Sequence, residues 1–142
     1  MDASWRLAIA AVFVWLGMVL AISFIETPLK FRAPGVDLKL GLAIGRLVFR
    51  ALNVCELLLA VVVAVALFTH ESAVGLDVAV TVAVAALLVQ IALVRPMLAR
   101  RTAAVVAGDG EGRRSNGHYA YVALEVVKVI ALIAAGIQLT AS

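Results

Sequence analysis

The residues able to do chemistry in this chain are few and lie where a lipid bilayer would reject them. In "YVALEVVKVIALIAAG", residues 121 to 136, Glu125 and Lys128 stand three apart in an otherwise apolar stretch. A second stretch carries Arg46, Asn53 and Glu56, which fall at the same relative offsets as His118, Glu125 and Lys128. At 100° per residue those offsets project within about 80° of one another, so each set occupies one helix face. Arg50 and Tyr121 join the respective faces. Carboxylates, an amine and an amide in this arrangement can relay a proton, line a path for an ion or small polar solute, or pair off as a static clamp that fixes helix register.

Matching the two stretches by depth pairs Glu56 with Lys128 across the interior. Glu125 is expected to look to Asn53 at its own level, to Lys128 one turn on, or to Arg50. Lys128 falls about 13 Å into its helix at 1.5 Å per residue, near the midplane. A bare charge there costs at least about 2.5–3.5 kcal/mol on insertion scales, which pairing inside a bundle would offset. The polar network is therefore expected to comprise Arg46, Arg50, Asn53, Glu56, His118, Tyr121, Glu125 and Lys128.

Other polar side chains have simpler accounts. Glu26 is an interfacial charge within reach of Arg46 or Arg50, and Asp77 sits where a helix dipole favours an anion. Gln90 is placed to hydrogen-bond across the bundle. Ser23 is expected to be satisfied by a backbone carbonyl, Trp15 to pack beside Gly17, and Trp5 to anchor at an interface. His70 and His118 fall at opposite ends of their spans, Met18 and Met97 differ in depth, and Cys55 is the one cysteine. No metal site is expected from these, and no cofactor. No nucleophile, base and orienter assemble, so enzyme activity is not expected. "GDGEG" lacks the Lys-Ser/Thr that a phosphate loop needs.

The elements that hold these residues are membrane helices. Of 142 residues 65% are hydrophobic and 15% charged, with a mean hydropathy of +1.12, against about 45–50% and 25% in a soluble domain. Four runs reach the roughly 20 apolar residues that a span requires: 5–25, 47–68, 74–94 and 119–139. The first is too long for a signal-peptide core, and Glu26-Thr27-Pro28 is a poor cleavage site, so it is read as a retained helix. The fold class is all-α, a polytopic four-helix membrane bundle in one domain.

Ten of the twelve Lys and Arg residues fall in the first and third loops or at helix ends beside them. That pattern is a topology signal rather than a nucleic-acid footprint. It orients loops one and three toward the cytoplasm and both termini outside, in the cell inner (plasma) membrane. Pro28, Pro34 and Gly35 are expected to end the first helix and turn the chain. The Gly-rich loop 95–118 is expected to be flexible. "GLAIG", Gly41 to Gly45, reads equally as a close helix contact or a flexible entry to helix two.

"VWLGMVLAISFIETPLKF", "IGRLVFRALNVCELL" and "HYAYVALEVVKV" together resemble bacterial four-helix membrane proteins of the domain-of-unknown-function type. These are distantly similar to the membrane domain of copper-resistance protein D. The matching residues are Trp15, Gly17, Ser23, Phe24, Pro28, Phe31, Phe49 and Glu56. The resemblance implies a four-helix bundle and leaves function open. Two functions are expected from the charges: a small transporter or channel-like protein working as a homo-oligomer, or a non-transporting subunit of a larger membrane complex. A third is lipid or quinone binding between helices, with the basic loops contacting anionic headgroups.

Overall fold

The computed structural model describes residues 3–68, 74–94 and 116–141. Four helices within them are long and apolar enough to cross a membrane, and among the described residues there is no strand. The protein is an all-α, multi-pass four-helix bundle. His70 and the basic residues Arg95, Arg100, Arg101, Arg113 and Arg114 lie outside the described residues.

Helix one runs Ala3–Lys30, five residues past the expected end at Ile25 and straight through Pro28. Proline removes a backbone donor and crowds the carbonyl four residues earlier. Here the segment Leu20–Glu26 widens to π-helical bonding before a final α turn, Thr27–Lys30. The Thr27 N–H donates to the carbonyl of Ile22, which also accepts from Thr27 Oγ1 at 2.9 Å. The wider turn lets the helix absorb the proline instead of stopping at it. The chain turns over residues 31–36, where Arg32, Ala33 and Val36 donate to carbonyls three residues back and Gly35 takes a φ of 84° that suits glycine.

Helix two is Leu38–Phe68, starting nine residues before the expected Leu47. Asp37 is the reason. Its carboxylate accepts from the Leu40 N–H at 2.8 Å, capping the first turn. The expected connection between residues 25 and 47 thus shrinks to 31–37. "GLAIG" lies inside the helix, where Gly41 and Gly45 are both buried. A Cβ on Gly41 would collide with the Phe31 ring, and one on Gly45 would sit 2.9 Å from Lys30 Nζ. The glycines make room for the end of helix one, so the close-contact reading holds and the flexible-entry reading does not.

Helix three runs Val74–Val89 and continues as a second π-helical stretch, Gln90–Val94. Helix four is Asn116–Ala141. Helix one packs on helices two and four, and helix four packs on helix three. Helices two and four therefore face each other across the interior rather than lying side by side. The apolar core is rich in alanine, including Ala8, Ala11, Ala79, Ala83 and Ala135, which lets backbones approach closely. Large apolar side chains face outward, among them Leu47 at 70% and Leu58 at 64% exposure. That inversion of the soluble pattern is what a lipid-facing surface requires.

Candidate functional site

A charged cluster occupies the interior where all four helices meet. Lys128 of helix four is fully buried, and three acceptors surround its ammonium: Glu125 Oε1 at 2.5 Å, Glu56 Oε1 at 2.7 Å and Gln90 Oε1 at 2.8 Å. An ammonium carries three donors, so its capacity is filled. Glu125 lies one turn away on the same helix face and is 2% exposed. Its Oε1 also accepts from Gln90 Nε2 at 2.7 Å, and its Oε2 accepts from the Ser23 hydroxyl. Glu56 arrives from helix two, fully buried, and its Oε1 accepts a second bond from Trp15 Nε1 at 3.0 Å.

Each helix contributes for a local reason. Glu125 and Lys128 are three residues apart, so both carry their charge to the same interior face. Ser23 lies within the π-helical stretch of helix one, and Gln90 opens that of helix three. Both side chains bond Glu125. Single π turns recur at functional sites, because one extra residue per turn re-aims a side chain. Gln90 is completely buried and spans the cluster, with Nε2 also donating to the Tyr121 carbonyl at 3.3 Å.

The electrostatic balance is uneven. Two carboxylates share one ammonium, so the ionised cluster carries a net charge of −1 among buried side chains. Hydrogen bonds from Ser23, Trp15 and Gln90 spread that charge but do not cancel it. Among the described residues, Glu56 Oε2 has no hydrogen-bond partner, and neither does Nδ2 or Oδ1 of Asn53. Asn53 is 1% exposed and lies one turn from Glu56 on helix two.

The structure brings together Glu56, Glu125 and Lys128 from the expected network, with the Glu56–Lys128 pair formed across the bundle. The other positions are arranged differently. Glu125 takes the Lys128 option and bonds neither Asn53 nor Arg50. Arg46 and Arg50 are exposed on helix two and stay outside the cluster. Tyr121 is buried and meets the Phe49 ring edge-on, with centroids 5.4 Å apart at 79°. His118 lies in the first turns of helix four, but its side chain is outside the described residues. Glu26 approaches Lys30 at 4.0 Å instead of Arg46 or Arg50.

Two further members of the cluster, Ser23 and Trp15, depart from the ordinary roles that the sequence implies for them. Ser23 was expected to bond a carbonyl and instead donates to Glu125, because the π turn rotates it inward. Trp15 was expected only to pack, yet its indole N–H needs an acceptor once buried, and Glu56 supplies it. That need was the available signal for Trp15. Gln90 does bond across the bundle. No protein-family model, curated protein or solved structure matches the chain.

Proposed function

We propose that this protein is a small membrane transporter whose buried cluster carries a proton or another small cation. One observation carries the reading: two carboxylates share a single ammonium inside a membrane bundle. A purely static clamp is best served by balanced charge, because every uncompensated ion in low dielectric costs several kcal/mol. A surplus carboxylate instead gives a mobile cation a resting place that neutralises the cluster. The two π turns beside Glu125 support the same reading. In this proposal the basic loops face the cytoplasm of the inner membrane, and several copies assemble to complete a path.

The test is a flux measurement in liposomes at fixed membrane potential. Replacing Glu125 with Gln removes the surplus charge and keeps one oxygen to accept from Lys128, while the amide nitrogen can donate to the Ser23 hydroxyl in place of the oxygen that accepted from it. Cation flux that falls at least about tenfold in Glu125→Gln supports transport. Wild-type protein that passes no more cation than empty liposomes refutes it.

A second reading has its own observation. Lys128 is saturated with acceptors, and the cluster ties helices one, two, three and four together with no exposed charge. A non-transporting subunit that steadies a larger complex would need such a rigid centre. In that case Glu125→Gln changes stability or assembly and leaves flux at the background level.

A further inference from the structure

The interior differs sharply on the two sides of the charged cluster. Toward the chain termini, the next turns hold Ala60 and Val63 from helix two and Leu132 and Ala135 from helix four. Val12 and Ala83 complete the layer, and all six are buried. Toward the opposite end, the face of helix two continues as Asn53 and then the exposed Arg50 and Arg46. Glu56 is six residues from Arg50 and twelve from Phe68, or about 9 Å and about 18 Å along the helix. The Arg50–Arg46 end is thus the short side from the cluster to an exposed charge.

Three buried polar atoms on that short side have no hydrogen-bond partner among the described residues: Asn53 Oδ1, Asn53 Nδ2 and Glu56 Oε2. A buried polar atom left without a partner is destabilising, and three within one helical turn call for an occupant. Their chemistry specifies it. A carboxylate oxygen and an amide oxygen are hard donors suited to a small cation. The amide N–H can donate to a water that the cation brings with it. The charge of the occupant follows from the cluster's net −1, since a monovalent ion brings it to zero and a divalent ion would overshoot. About one helical turn beyond, Phe49 and Tyr121, each four residues from Asn53 and Glu125 respectively, are in edge-to-face contact.

We propose that Asn53 and the second carboxylate oxygen of Glu56 hold one small monovalent cation, hydronium or sodium, which enters from the Arg46–Arg50 end past the Phe49–Tyr121 contact. This deepens the transport reading by naming where the cation rests and from which end it comes. Glu56 also faces Lys128 and Glu125 of helix four, Trp15 of helix one and, through Lys128, Gln90 of helix three. Loading the site therefore bears on the Trp15–Glu56 hydrogen bond.

That bond supplies the experiment. The chain has two tryptophans, so Trp5→Phe leaves Trp15 as the sole indole reporter beside Glu56. The full chain in nanodiscs is titrated with NaCl replacing choline chloride at constant pH, and separately with acid at constant salt. A saturable change in Trp15 emission with sodium identifies sodium as the occupant, and a change with pH alone identifies the proton. Asn53→Ala should weaken the response about tenfold or more, as loss of one ligand to a charged group implies. Glu56→Gln should abolish it, and Asn53→Ala keeps the test valid if that variant does not fold. No saturable response to either titrant overturns the proposal, as does a response that Asn53→Ala leaves unchanged. If Trp15 responds as expected while wild-type liposomes pass no cation, the site stands and the transport reading falls.

Discussion

Lys128→Met tests the energetics of the bundle centre most directly. Methionine keeps most of the unbranched apolar stem, with sulfur in place of one methylene, and ends where the ammonium of lysine begins. That ammonium bonds Glu56, Glu125 and Gln90 at 2.7, 2.5 and 2.8 Å, and no part of it reaches solvent. Without it, two buried carboxylates face each other with no cation. Removing one partner of a buried ion pair costs about 3–5 kcal/mol. Against a typical folding stability of about 5–15 kcal/mol, that is a large loss. Converting the cluster to neutral groups in Lys128→Met/Glu56→Gln/Glu125→Gln should restore most of the loss, because the penalty comes from stranded charge rather than from missing contacts. Reversible unfolding in mixed micelles, followed by tryptophan fluorescence, reads both variants. A single variant losing under about 1 kcal/mol, or a triple variant no more stable than the single, would refute the account.

Three further outcomes are expected. Ser23→Ala removes the hydroxyl donor to Glu125 Oε2 and should destabilise by about 1.5–3 kcal/mol in the same assay, as a hydrogen bond to a charged group does; an unchanged midpoint counts against Ser23 as a member of the cluster. Asp37→Ala uncaps helix two at a cost of about 1 kcal/mol, and amide exchange at Leu40 should accelerate while Leu52 stays protected. Gly41→Val forces the Phe31 ring aside and should cost about 1 kcal/mol, since that ring is partly exposed and can move. Phe31→Ala should cancel that cost in a double-mutant cycle, and additive losses would place the clash elsewhere.

Part of the fold and of the cluster is legible in the sequence. Membrane residence and four spans follow from apolar run length, because hydrocarbon thickness sets a length that the chain must meet. The Glu56–Lys128 pair follows from equal depth on two helices entering from the same end, since lipid leaves a deep charge few alternatives to a partner. Helix ends were less legible. Pro28 ordinarily reads as a stop, and only the π turn before it lets helix one continue. The start of helix two hinged on Asp37, a capping residue outside the apolar run by which a span is recognised.

By itself the sequence determined which residues must avoid lipid and, through helical periodicity, which of them share a face. Packing decided which of those faces meet. Periodicity carries no information on how helices rotate against one another. Ser23, Trp15 and Gln90 therefore joined the cluster, and Arg46 and Arg50 stayed outside, only once the bundle was assembled. The partner of a buried polar atom depends on the rotation and depth of a neighbouring helix, which short-range spacing does not encode.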